Sequence, residues 1–93
     1  MITFIMGYEV RINKKSLKNL KKLPDFIQDK FWVLINDLEE NGPIQSSWSN
    51  FSKLSIDTYH CHLSRKYVAC WYYKEKKIIV EVYYVGSREN APY

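Results

Sequence analysis

The sequence predicts an α+β fold: an antiparallel sheet backed on one face by an N-terminal helical hairpin, in the order β-α-α-β-β-β-β. Three observations carry this. Residues 8–12 alternate, with Tyr8, Val10 and Ile12 on one side and Glu9 and Arg11 on the other, the period of a half-buried strand. Ile27, Phe31, Leu34, Ile35 and Leu38 then fall at i, i+4, i+7, i+8 and i+11, one apolar stripe along a helix. From residue 51 onward, short runs of β-branched and aromatic residues alternate with polar turns.

Each element has a local cause. Asn13 is placed to cap a short basic helix over residues 14–23, with Leu17 and Leu20 inward and Lys14, Lys15, Lys18, Lys21 and Lys22 around them. Pro24 breaks that helix and suits the first position of the next. Asp25 and Asp29 favour the positive N-terminus of the second helix, and Asn41-Gly42-Pro43 stops it. Residues 43–50 read as loop. Strands follow at 51–55, 58–63, 67–73 and 78–85, with turns at Ser64-Arg65-Lys66 and Lys74-Glu75-Lys76-Lys77, and Gly86 ends the sheet. One hairpin covers one sheet face, which leaves the other for water or a partner.

Composition bounds the function. Ninety-three residues make one domain, spanning the whole chain. Hydrophobic residues at 46% and charged ones at 26% exclude a disordered chain. No apolar run approaches the ~20 residues of a membrane span, and residues 1–6 lack the basic start of a signal peptide. A cytoplasmic protein is expected, with its two cysteines as free thiols. The net charge of +4 favours a polyanionic partner, nucleic acid first. Aromatics at 16%, eight of them Tyr, serve a core or stack on bases.

Tyr59-His60-Cys61-His62-Leu63 is the most informative segment. On a strand Tyr59, Cys61 and Leu63 face the helices, while His60 and His62, the only histidines, face outward. Their Cα atoms lie roughly 7 Å apart at strand rise. A phosphodiester fits between two such imidazoles, one taking a proton from a ribose 2′-OH and the other serving the leaving 5′-oxygen. Two other readings stay open. The pair can be solvated polar residues on an open sheet face. It can also hold zinc, with Cys70 as third ligand or Glu81 as a more distant one. That register, with the turn centred on Arg65, sets Cys70 opposite His60 and Val68 opposite His62. It puts Cys61 and Cys70 on opposite faces, against a disulfide.

Arg88, just past the last strand, is positioned to grip a phosphate bidentately and stabilise added charge on phosphorus. Tyr93 can stack on a base or share in proton transfer. Lys14 and Lys18 on the first helix, with Lys53, Arg65 and Lys66 nearer the histidine face, are candidates for holding RNA backbone. The plainer reading of these cations is a solvated surface. Trp32, Trp48 and Trp71 are assigned mostly to packing, and Tyr72 and Tyr83 to the open face. No Gly-rich phosphate loop, GxSxG or His-Glu-x-x-His occurs.

Over nearly its full length the chain resembles the RelE/ParE toxin superfamily. The resemblance rests on a strand, a basic helical hairpin and a sheet, then Lys53-Leu54, Tyr59-His60-Cys61-His62-Leu63, residues 67–73 and Val85-Gly86-Ser87-Arg88-Glu89. It implies a type II toxin neutralised by a cognate antitoxin in a hetero-oligomer. Its RelE branch implies an endoribonuclease (mRNA interferase) that cuts mRNA in the ribosomal A site without metal or other cofactor, leaving a 2′,3′-cyclic phosphate. Its ParE branch implies a gyrase inhibitor without nuclease chemistry. An inactive, antitoxin-binding relative is the third class. RelE carries lysines where His60 and His62 stand. Arg88 matches the RelE arginine after the final strand, Tyr93 the RelE C-terminal tyrosine at a spacing one residue shorter. An arginine of RelE falls on Val68, and RelE's C-terminal helix has no counterpart. The resemblance thus implies His60 and His62 as acid and base, Arg88 on the phosphorane and Tyr93 at a base or a proton.

Overall fold

The computed structural model describes residues 2–5, 7–74 and 77–93, the first four as backbone only. Eight elements follow in order: β1 (Ile2–Ile5), β2 (Glu9–Ile12), α1 (Lys14–Leu20), α2 (Asp25–Asn41), β3 (Ser52–Lys53), β4 (Thr58–His62), β5 (Tyr67–Tyr73) and β6 (Ile79–Ser87). Among the described residues the sheet has six strands in the order β1-β2-β6-β5-β4-β3. The predicted class stands, an α+β fold with a helical hairpin on one sheet face.

The sheet differs from the expectation in two respects. It is mixed, because β2 pairs parallel to β6 while the other neighbours run antiparallel. Alternation marks which face a residue takes and says nothing of strand direction. The helical hairpin and the β3–β4–β5 meander return the chain beside β2 pointing the same way. Residues 2–5 also form a strand to which the sequence reading assigned no element. Part of the charged turn at 74–77 lies outside the described residues.

The helices follow their local signals, with shorter ends. The Asn13 side chain accepts a 2.8 Å hydrogen bond from the Ser16 N–H, capping α1. That helix stops at Leu20, three residues short of the reading, and Pro24 precedes α2 as its cap instead of opening it. At the end of α2, Gly42 has φ +84, and a Cβ there would lie 2.5 Å from the Tyr8 ring. Conformation and space both require glycine at that position.

All five residues of the predicted stripe, Ile27, Phe31, Leu34, Ile35 and Leu38, are buried against Val10, Ile12, Tyr59, Cys61, Leu63, Ala69, Trp71, Val80, Val82 and Val85. Phe51, Tyr59 and Trp71 stack with centroids 6.0–6.4 Å apart. Trp71 is fully buried and donates to the Pro43 carbonyl. Trp48 donates to the Asp37 carboxylate. Trp32 leans on Phe31 but is 37% exposed, so its assignment to packing holds only in part. No helix among the described residues is long and apolar enough to cross a membrane.

Strand β6 does not end at Gly86. It runs to Ser87, and Gly86 is buried where a Cβ would meet the Asn19 amide at 2.5 Å and the Tyr84 hydroxyl at 2.8 Å. Strand β2 covers only the first half of β6, and α1 flanks the rest, where Asn19 donates to the otherwise open Val85 carbonyl.

Candidate active site

Strand β4 sorts its side chains as alternation requires. Tyr59, Cys61 and Leu63 enter the core, and His60 and His62 take the opposite face. The register is the one read from the turn: His60 faces Cys70, and His62 faces Val68. Both thiols are free and buried. Burial pushes each up to about 12, which keeps Cys70 a neutral thiol. Among the described residues no three His, Cys, Asp or Glu side chains converge to hold a metal ion.

Each imidazole is held by a neighbouring segment. Ser52, opposite His60 on β3, places its hydroxyl 2.9 Å from His60 Nδ1. The loop at 43–51 docks on β4 where the His62 N–H donates to the Ser49 carbonyl at 2.8 Å. Asn50 then takes φ +52, a left-handed conformation that Asn tolerates, and its amide nitrogen lies 3.2 Å from His62 Nδ1. With both Nδ1 atoms engaged, Nε2 is the nitrogen each ring offers a substrate. The two rings lie 5.5 Å apart, inclined at 64°.

The tail returns to this pair. The Arg88 N–H donates to the Lys66 carbonyl at 2.7 Å, tying the end of β6 to the β4–β5 turn. The Tyr84 hydroxyl donates to the Ser87 carbonyl at 2.7 Å. Beyond this turn the Tyr93 ring sits 4.6 Å from the His60 ring, which leaves His60 only 7% exposed.

Electrostatics favour neutral rings. Burial lowers His60 below the ordinary imidazole value, the His62 charge lowers it further, and a hydrogen bond to the Ser52 backbone opposes. Burial also lowers His62, and the Arg88 guanidinium adds to it. Burial raises Tyr93, so its hydroxyl keeps its proton at neutral pH.

The predicted cations separate. Arg65 lines a groove of about 390 Å³ with Lys30, Trp48, Asn50 and His62. Lys66 is exposed in the same turn, tied by its backbone to Arg88. Lys53 was expected nearer the histidine face and is not there. It pairs with Tyr59 on the core side, its ammonium 5.8 Å from that ring, because Ser52 takes the histidine side of a two-residue strand. Lys14 is exposed on α1, and Lys18 lines a second groove of about 610 Å³ with Lys15, Lys22, Tyr83 and Tyr84. Val68 is fully buried, so no cation stands there.

Ser52, Asn50 and Lys30 escaped the sequence reading. Ser52 was within reach, since pairing residues 51–55 with β4 sets one of them opposite His60. Asn50 reaches His62, and Lys30 shares its groove, only through the tertiary path of the loop and of α2, which no short-range pattern encodes.

No protein-family model matches the sequence, and no curated protein does. Solved structures do match. RelE in the archaeal RelE–RelB complex from Pyrococcus horikoshii OT3 is 21% identical with a TM-score of 0.74, covering 92% of this chain and 100% of that one. E. coli RelE in the free state is 22% identical at 0.72, covering 92% and 88%. A metal-bound toxin from Helicobacter pylori is 18% identical at 0.66, covering 90% and 97%. The fold is therefore that of the RelE toxins and their relatives.

Proposed function

We propose that this chain is the toxin of a type II toxin–antitoxin system, a cytoplasmic endoribonuclease that cuts mRNA on the ribosome without a metal ion. The observation that carries the reading is the pair of imidazoles on the sheet face away from the helices, 5.5 Å apart, with the charge of Arg88 acting on His62. In the cut, Nε2 of one neutral histidine takes the proton of the ribose 2′-OH, and that oxygen attacks the adjacent phosphorus. The other histidine, as imidazolium, gives its proton to the departing 5′-oxygen. One proton is gained and one lost, and the products are a 2′,3′-cyclic phosphate and a 5′-hydroxyl. Arg88 stabilises the charge gathering on the phosphoryl oxygens. Arg65, Lys66 and Lys30 line the approach for RNA backbone, with Lys14 and Lys18 on α1 further out. Tyr93 covers His60 and, keeping its proton, meets the substrate as a stacking ring or a hydrogen-bond donor. The protein partner is an antitoxin, the relation RelB bears to the archaeal neighbour.

The test is translation in a cell-free extract with primer extension on the message, wild type beside the His60→Ala/His62→Ala double variant. Discrete breaks in translated message with wild type and none with the variant are expected. Intact message with continued translation would reject the nuclease reading.

A further inference from the structure

The open face carries a second feature beyond the histidines. Tyr72 is the next residue on that face of β5 after Cys70, and the register sets it opposite Thr58, one step past His60. Along β6 the pairing jumps from Cys70↔Tyr84 to Trp71↔Val82, so Tyr83 is the extra residue of a bulge. Bulges re-aim side chains. This one turns Tyr83 onto the open face, where its ring lies 4.2 Å from that of Tyr72 at 33° and its hydroxyl meets the Cys70 thiol.

The pair is a supported platform. Tyr72 is 41% exposed, while Tyr83 beneath it is fixed by Cys70. Burial raises Tyr83 well above the ordinary phenol range, with Cys70, Tyr72 and Asp57 adding to it, so the ring stays neutral. The platform lies roughly 7 Å along the strand from the His60 row, the rise of two residues.

Charge sets what lands there. Arg88 flanks His62, at one end of the histidine pair. Past the other end stand Asp57, which acts on Tyr83, and Glu81, opposite Tyr72. Two carboxylates repel a phosphate and leave a neutral, flat group as the favoured occupant. A second phosphate has cations on the far flank of Tyr83, in the groove with Lys15, Lys18 and Lys22.

We propose that Tyr72, backed by Tyr83, is a stacking subsite for the base of the nucleotide next to the scissile phosphate. The inference rests on the nuclease reading for its ligand, and the experiment separates the two. The probe is a short labelled RNA with a 2′-deoxy sugar at the cut position, so that it binds and cannot be cleaved. Binding is measured free and on a programmed ribosome, with a single abasic residue moved along the RNA. Wild type is expected to lose roughly 5- to 150-fold in affinity when one base beside the cut position is removed, the worth of one base–aromatic stack. Tyr72→Ala is expected to lose the same on intact RNA and nothing more on the abasic one, while Tyr72→Phe binds as wild type. The inference is overturned if Tyr72→Ala binds as wild type, if its loss persists undiminished on abasic RNA, or if wild type binds neither form. Uncleavable RNA bound in the expected pattern, with unmodified RNA left uncut, keeps the platform and rejects the nuclease reading. Histidine-dependent cutting unchanged in Tyr72→Ala does the reverse.

Discussion

Tyr59, Cys61 and Leu63 lie under the helices, while His60 and His62, one residue out of step on the same strand, lie on the far side of the sheet. The first set packs into the apolar and aromatic core, with the Lys53 ammonium 5.8 Å from the Tyr59 ring at its edge. The second touches a hydroxyl, an amide and a tyrosine ring, and His62 feels the charge of a guanidinium. A strand of period two thus builds a core and a candidate site from adjacent residues, and a slip of one residue would exchange them. The two faces should therefore fail differently. On the closed face, Phe31→Ala removes a fully buried ring and is expected to cost about 3–5 kcal/mol of stability, read in a urea or thermal melt. On the open face, His60→Ala or His62→Ala is expected to lower cleavage by about 10²–10⁴-fold while stability moves by no more than about 1 kcal/mol. A histidine variant that melts like Phe31→Ala and loses activity only by unfolding would erase the distinction.

Arg88 sharpens it further. The side chain is exposed and its backbone is fixed to Lys66. A charged contact to the phosphoryl group, worth about 1.5–3 kcal/mol, makes Arg88→Ala roughly 10- to 150-fold slower. Because the guanidinium holds His62 down, its removal also lets the His62 pKa rise. The matching limb of the pH–rate profile should move to higher pH. Arg88→Lys should hold the limb near its wild-type position and recover only part of the rate, since an ammonium lacks the planar fork.

The faces also differ in how far the sequence revealed them. The closed face was legible because helix and strand periods are local: the stripe from Ile27 to Leu38 and the alternation from Tyr59 to Leu63 each need only their own segment. The histidine pair was legible for the same reason. What was missed depends on contacts between distant segments. Ser52 matters because a two-residue strand stops in register with His60, and Asn50 because a loop docks on His62. Lys53 was misplaced because on so short a strand one residue of register decides the face. The parallel β2–β6 pair escaped because direction leaves no trace in alternation.

A smaller effect appears in stability against pH. Both histidines have folded-state pKa values below their unfolded value near ~6.5. Below that value the unfolded chain binds protons more readily, so stability present above ~6.5 is lost as pH falls toward the folded values. The Tm of wild type should drop between pH 7.5 and pH 5 more than that of the His60→Ala/His62→Ala variant, two conditions set by the experimenter on either side of about 6.5.

The finest discrimination lies at Ser52. Its backbone is the one contact that raises His60 against burial and the charge of His62, while its hydroxyl lies 2.9 Å from His60 Nδ1. A reaction that needs one imidazole neutral and the other protonated is fastest between their two pKa values, and both lie below the ordinary one. The kcat/KM of wild type should therefore peak on the acid side of about 6.5 and fall about tenfold per pH unit well above the peak. Ser52→Ala removes the hydroxyl and keeps the backbone group that supports the His60 imidazolium, so the His60 limb should stay in place. The loss at the peak should be about 5- to 10-fold, the worth of one hydrogen bond. Ser52→Thr, which keeps the hydroxyl, should restore the rate. Arg88→Ala by contrast should move the His62 limb, because the guanidinium acts on that ring through its charge. A His60 limb that moves to lower pH in Ser52→Ala would place the support in the hydroxyl instead of the backbone. One limb moving in Arg88→Ala, while the profile of Ser52→Ala keeps its shape, would assign that limb to His62, which the symmetry of two adjacent histidines otherwise conceals.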